Sequence, residues 1–399
     1  MLEEPFSLAA LLADSGCPDA PEEVRNFSAA PNQRVIFGPG VVSLAGRLTA
    51  ALPARRVLVV TDPGIAAAGH LEHLLGFLHA AGLDVHTFTE VCENPTTETV
   101  AACVAAAREA QVEALIGLGG GSSMDAAKGC NFILTNGGEM KDFLGMGKAV
   151  RPLLPFVAIP TTAGTGSECQ SFALISDAAT HVKMACGDRK AAARVALLDP
   201  ELTLTQPARV TRLTGIDALT HAIESAVCTR ATAVSRACSR AAFALLAGAF
   251  EAVLHQPRDI LARSKMLVGA ALAGVAIENS MLGAAHSCAN PLTARFGVAH
   301  GEAVGVMLAH VMRRNAASAE AAGEYDMLAG FLGRTGGELA DWFDHLLRKA
   351  GLPRNLSHYR IVCSDLPRLA EEAQTQWTAQ FNPVSVAAGD FLELYRSAL

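Results

Sequence analysis

The ten cysteines of this 399-residue chain (17, 92, 103, 130, 169, 186, 228, 238, 288 and 363) never form a C-x-x-C pair and follow no framework spacing. Their scatter excludes a thiolate zinc site of the finger type and a disulfide scaffold. Most sit in apolar surroundings, where a free thiol behaves as a small hydrophobe. Cys288 alone falls inside a candidate site. Charge is scarce as well: Asp, Glu, Lys and Arg make up 18% of residues, with a net charge of -7. Without a basic excess there is no electrostatic reason to expect nucleic acid or an anionic membrane as a partner. No uninterrupted apolar run reaches the length of a membrane span. The opening Met1-Leu2-Glu3-Glu4-Pro5 lacks the basic flank and apolar segment of a secretory signal. The expectation is a soluble, cytoplasmic protein.

What is present is apolar and small. Hydrophobic residues account for 51% of the chain, which suits a packed globular protein, and the length favours two domains over one core. From about residue 34 to 160, β-rich runs alternate with Ala-rich helical stretches. Strands are expected at Arg56–Thr61, Val85–Thr89, Ala114–Leu118 and Phe156–Pro160. Alternation of this kind implies parallel strands covered by helices, with ligands at the carboxyl ends of the strands. Beyond Leu198-Asp199-Pro200 the β signal fades, and residues 208–253, 257–281 and 300–350 read as helical. The expected organisation is a leader over residues 1–30, an α/β nucleotide-binding domain over 31–206 and a helical, metal-binding catalytic domain over 207–399. Phe6 to Leu12 reads as a short amphipathic turn for docking, or as a leader lying over the domain surface.

Gly117-Leu118-Gly119-Gly120-Gly121-Ser122-Ser123-Met124-Asp125-Ala126-Ala127-Lys128 follows a strand and opens a helix. Glycines there let the backbone approach a phosphate, the helix N-terminus favours an anion, and Ser122 or Ser123 can cap the helix. The run is not a full GxGxxG match, so a ligand-free glycine turn is the competing reading. Asp62, ending the first expected strand, can accept from an adenosine ribose, which favours NAD over NADP; it can equally be a turn aspartate before proline. Pro160 to Glu168 (PTTAGTGSE) offers hydroxyl and backbone donors after another strand.

Asp217 and His221 stand four apart in TGIDALTHAIE, residues 214–224. On a helix that spacing puts both on one face, able to share a cation. His286 and His300 lie fourteen apart further on. One carboxylate and three imidazoles form a borderline-hard donor set for Fe(II) or Zn(II). Each histidine singly also reads as a hydrogen-bonded core residue.

With GGGSSMDAAK at 119–128, AIPTTAGTGSE at 158–168, TGIDALTHAIE at 214–224 and the His286/His300 pair, the chain resembles the iron-containing (group III) alcohol dehydrogenase family from about residue 30 onward. The resemblance implies an N-terminal α/β Rossmann-like domain with a parallel sheet, an all-α C-terminal domain and a cleft between them, the architecture shared with dehydroquinate synthase. It implies metal ligands at Asp217, His221, His286 and His300. Pyrophosphate contacts are implied at Gly119, Gly120, Gly121, Ser122 and Asp125, and other NAD contacts at Asp62, Asn94, Thr161, Thr162, Thr165 and Lys183. From local sequence alone, Asn94 would be a turn residue before proline and Lys183 a solvated charge. One position departs from the family pattern: Asn290 stands where a second histidine usually follows the third ligand. Asparagine cannot titrate near neutral pH, so the proton-relay position is altered while the ligand set stays whole.

The implied activity is hydride transfer between NAD(H) and a small primary alcohol or aldehyde, with the metal as Lewis acid and no catalytic cysteine. A homodimer or higher homo-oligomer is the family-level expectation. Competing readings are a maleylacetate reductase-like or glycerol dehydrogenase-like enzyme of the same superfamily, or a catalytically impaired cofactor-binding assembly subunit.

Overall fold

A computed structural model describes residues 7–17, 19, 24, 27, 30, 32–180 and 182–399. The chain divides into two compact units. One comprises residues 28–162 and 166–206; the other comprises residues 163–165 and 207–399 together with the described residues between 7 and 27.

The first unit is built on nine strands: β1 (Arg34–Phe37), β2 (Arg56–Val60), β3 (Asp84–Phe88), β4 (Ala114–Gly119), β5 (Gly145–Met146), β6 (Phe156–Pro160), β7 (Phe172–Ser176), β8 (Lys183–Gly187) and β9 (Val195–Leu198). Six of them form a sheet in the order β1-β9-β6-β4-β2-β3, parallel throughout. Side chains alternate across it. Leu58, Val60 and Leu115 enter one core with Val100 and Cys103, while Val57, Val59 and Ile116 enter the other with Leu74 and Leu78. Both faces are therefore covered, which is why these strands read as nearly continuous apolar runs. Because β2, β4 and β6 are neighbours, their carboxyl ends lie side by side. Asp62, Gly119 and Thr161 are thereby brought to one rim of the sheet. A smaller sheet, β5-β8-β7, pairs β7 with β8 antiparallel and β5 with β8 parallel.

The second unit is helical from Ala208–Val227 through Ala388–Ser397. The stretch expected as one helical run over 208–253 is interrupted between Val227 and Ala233, where Thr232 caps the next helix through a reciprocal bond pair with Ser235. Two helices, Ala233–His255 and Ile260–Glu278, are long and apolar enough to cross a membrane by length and composition. Arg236, Arg240, Arg263 and Lys265 interrupt them, which is why no unbroken apolar run of that length shows in the sequence. Both are largely buried within this unit, as core helices are. Arg240 pairs with Glu324, and Arg263 donates to the Thr211 hydroxyl and the Pro257 carbonyl.

Near the N-terminus, Leu8–Asp14 is a helix capped by Ser7, which accepts from the Ala10 N–H. Leu11 and Leu12 are buried and Asp14 pairs with Lys265. Phe6, part of the amphipathic turn expected there, lies outside the described residues.

Candidate active site

The glycine loop closes β4 and opens the helix Gly121–Asn136. Gly119 has φ +147°, and a Cβ there would stand 2.5 Å from the Ser123 hydroxyl and 3.3 Å from Asp62 Oδ2. Only glycine tolerates that combination of backbone angle and crowding. The N-cap of the helix is Gly120, with no side-chain cap. The expectation that Ser122 or Ser123 caps it is therefore corrected: both serines fall inside the first turn. Leading N–H groups left without a side-chain acceptor, at the positive end of a long helix, are the arrangement that receives phosphate oxygens.

The neighbours of this loop are the residues singled out by the resemblance. Asp62 is a turn residue, accepting from Ile65 N–H through Oδ1 at 3.0 Å, and its other oxygen faces Gly119. Asn94, at φ +53°, donates its backbone N–H to Ser122 Oγ at 3.3 Å. Thr161 donates its backbone N–H to the Gly119 carbonyl at 2.9 Å, and its buried hydroxyl has no hydrogen-bond partner. Thr162 lies over Gly120, where an added Cβ would meet its hydroxyl and methyl at 3.3 Å. Asp125 is buried and accepts from Ser167 Oγ at 2.8 Å. Burial raises its pKa, against the pull of Lys128, the Ser167 bond and Lys183. Lys183 opens β8, opposite Ser176. Thr165, in contrast, belongs to the helical unit with residues 163 and 164.

Sequence reasoning missed what lies beneath this loop. Lys128 is almost wholly buried and donates to the Ser167 carbonyl, the Ser167 hydroxyl and the Phe172 carbonyl at 2.6, 2.8 and 3.0 Å. Glu168 is buried beside it with Oε1 lacking a partner, and burial pushes its carboxyl up to about 7. The spacing of Asp125 and Lys128 in the glycine motif was the available signal, since i and i+3 share a helix face.

In the helical unit three helices converge. Asp217 and His221 project from Ala208–Val227, His286 from Ala284–Phe296 and His300 from the start of His300–Asn315. Gly301 lets the last helix approach the first: a Cβ there would stand 2.3 Å from the Leu213 carbonyl oxygen. The Nε2 atoms of His221, His286 and His300 lie 3.5, 3.7 and 3.7 Å from one oxygen, Asp217 Oδ1. The His221 and His286 rings are stacked at 4.9 Å, and His300 is tilted against His286 at 5.3 Å. Donor atoms about 2.1 Å from a shared tetrahedral ion would stand roughly 3.4 Å apart. The observed separations suit one cation.

The electrostatics agree. Burial alone would raise Asp217, yet His221, His286 and His300 together hold its carboxyl well below the usual range. Burial lowers His221 in spite of Asp217. Burial would also lower His286, but the Asp217 and Glu224 carboxylates lift it to about 9. Asp217 Oδ1 and His286 Nε2 are buried without a partner in hydrogen-bonding geometry. Most buried polar atoms in folded proteins are satisfied, and two left open beside each other are what a ligand site would show. The donor set fits a divalent ion such as Fe(II) or Zn(II).

Asn290 is one helical turn beyond His286 and donates its amide to Gln376 Oε1 at 3.0 Å. Cys288 is fully buried, its thiol pushed well up by burial, and Tyr395 donates to its carbonyl. Among the described residues the potential metal cluster comprises Asp217, His221 and His286, with His300 at its edge and no thiol.

A parallel α/β unit carrying a glycine loop, joined to a helical unit carrying one carboxylate among three imidazoles, defines a class of dinucleotide- and metal-handling oxidoreductase scaffolds. The family model described as iron-containing alcohol dehydrogenase matches residues 32–200, and its C-terminal counterpart matches residues 211–399. The NAD-dependent methanol dehydrogenase of Bacillus methanolicus is 33% identical over 91% of this chain and 97% of its own length. A crystal structure of 1,3-propanediol oxidoreductase superposes with a TM-score of 0.90 at 29% identity, covering 93% of this chain and 99% of that one. Sulfoacetaldehyde reductase from Bifidobacterium kashiwanohense, solved in complex with NAD+, gives a TM-score of 0.83 at 25% identity, covering 92% and 97%. The chain belongs to the iron-containing alcohol dehydrogenase family and is an oxidoreductase acting on alcohols.

Proposed function

We propose that this chain is an NAD-linked alcohol dehydrogenase, dependent on Fe(II) or Zn(II), that interconverts a small primary alcohol and its aldehyde. The observation that carries the proposal is the convergence of three imidazole Nε2 atoms on Asp217 Oδ1 at 3.5–3.7 Å. Asp217, His221, His286 and His300 would hold the ion. When bound, the ion supplies Lewis-acid polarisation of the substrate oxygen and the nicotinamide supplies or accepts hydride. The chain's own residues bind and orient. Gly120, Gly121 and Ser122 offer N–H groups to the pyrophosphate, and Asp62 Oδ2 offers an acceptor to the ribose. An acid at that place favours a free 2′-hydroxyl, hence NAD rather than NADP. Asn290 donates its amide to Gln376 and cannot exchange a proton near neutral pH, so no proton-relay role is assigned to that position. Relatives are named for methanol, 1,3-propanediol and choline and one for long-chain alcohols, which supports an alcohol substrate without setting its length.

The test is NADH oxidation against a panel of short aldehydes, with protein stripped of metal and reloaded with Fe(II) or Zn(II). Turnover should require metal, and the ion that restores it identifies the native metal. His286→Ala should abolish it while NAD binding, measured by calorimetry, stays within about threefold, since separate sites contribute almost independently. Full activity in metal-free protein, or none in any loaded form, would overturn the proposal.

A further inference from the structure

Glu224 stands three residues after His221 and seven after Asp217, on the same face of Ala208–Val227, and is buried. Its carboxylate is shared between two kinds of donor. Oε1 accepts from the Ala285 N–H at 2.7 Å. Oε2 stands 2.6 Å from His286 Nδ1 and also accepts, at 3.4 Å, from the His286 backbone N–H. The helix bearing His286 starts after Gly283 and has no side-chain cap of its own at that position. Two acceptors from elsewhere in the same unit take over: Glu224 at Ala285, and Asn382 Oδ1 at the Ala284 N–H, 3.1 Å away. A Cβ at Gly283 would stand 2.9 Å from Asn382 Oδ1 and 3.0 Å from Glu224 Oε1, so the glycine is what admits both.

We propose that Glu224 is a positioning residue for the metal site, fixing both the place of His286 and the ring nitrogen through which it ligates. The proposal rests on the metal reading above and adds a residue which that reading leaves out. An ionised carboxylate can only accept. The tautomer that pairs with a carboxylate at this contact carries its hydrogen on Nδ1, which leaves the Nε2 lone pair, 3.7 Å from Asp217 Oδ1, for an ion. The same carboxylate holds the first turn of the helix, so backbone and ring are located by one group. Outer carboxylates that orient metal-bound imidazoles work in this way.

Glu224→Gln separates the roles. One end of the amide is a donor and must face either Nδ1 or the Ala285 N–H. Facing Nδ1, it converts that nitrogen to an acceptor and puts the hydrogen on Nε2. Facing Ala285, it leaves two donors opposed. The measurement is Zn(II) affinity of the stripped full-length protein by competition with a chromophoric chelator, alongside the thermal midpoint of the same metal-free sample. Glu224→Gln should bind Zn(II) about 10- to 100-fold more weakly than the wild type. Asn382→Ala removes the other acceptor at the same helix end without touching an imidazole. It should lower the thermal midpoint while weakening Zn(II) binding much less than Glu224→Gln does, because the Glu224–His286 contact stays in place. Unchanged affinity in Glu224→Gln, or equal weakening in both variants, would reduce Glu224 to a helix cap and overturn the proposal. Should Glu224→Gln not fold, long-range 1H–15N NMR of the Zn(II)-loaded wild type decides. A protonated Nδ1 and ligated Nε2 on His286 support the proposal, and ligation through Nδ1 overturns it. Failure of the wild type to bind Zn(II), Fe(II) or Co(II) at all would instead remove the metal reading beneath it.

Discussion

The observed cap at Asp62 and its proposed ribose contact fall on different oxygens, so substitution can separate them. Oδ1 caps the short helix Pro63–Ala67, and Oδ2 faces the glycine loop. Asp62→Ser keeps a capping oxygen while removing the charge. Its NAD-over-NADP ratio of kcat/KM should fall at least about tenfold, roughly 1.4 kcal/mol of discrimination; an unchanged ratio would place the ribose elsewhere. Glu168 gives a prediction in pH. Its carboxyl is raised from 4.5 to about 7 by burial, so between those values the folded state holds a proton that the unfolded state has lost. Stability from this group is full below about pH 4.5 and falls as pH rises through 7, by about 3 kcal/mol in all. Glu168→Gln removes that dependence. In urea unfolding the variant should gain on the wild type by about that amount between pH 5 and pH 8, and a pH-independent difference would contradict the assigned cause. Asn290 is tied to Gln376 and cannot exchange a proton near neutrality. Asn290→His should introduce a new ionisation into the pH profile of kcat, and superimposable profiles would remove position 290 from proton movement.

At the scale of elements, the meeting of the proposed metal ligands depends on how closely helices approach. His300 opens its helix, and the next residue, Gly301, touches the Leu213 backbone. Gly301→Ala adds a methyl 2.3 Å from the Leu213 carbonyl oxygen. The two helices must part, costing about 1–3 kcal/mol by overpacking. The same shift carries His300 away from Asp217, so the variant should lose both thermal stability and metal affinity. A loss of stability with wild-type Zn(II) binding would show that the His300 side chain adjusts on its own. The cofactor loop depends on strand order instead. β2, β4 and β6 are adjacent and parallel, so Asp62, the glycine loop and Thr161 meet at one rim.

At the scale of the whole molecule, three imidazoles of the helical unit gather around one buried carboxylate, which they hold well below the usual range. An ion that binds the folded chain alone stabilises it by mass action, about 2.7 kcal/mol at a free concentration 100 times Kd. Removing the metal should lower the calorimetric unfolding midpoint of the full chain, and reloading with Fe(II) or Zn(II) should restore it. A midpoint indifferent to metal would count against the shared site.

The sequence by itself determined the strands at Arg56, Ala114 and Phe156, the helical character beyond Asp199 and the chemistry of the donor set, because period, propensity and residue type are local properties. It also carried Asp217 and His221 to one helix face, since i and i+4 coincide there. The tertiary structure alone decided that His286 and His300 reach the same carboxylate and that Glu224 meets His286 and the first turn of its helix. Those facts depend on which helix lies against which. Contact between residues sixty or more positions apart is fixed by packing of the whole chain, and no local pattern records it.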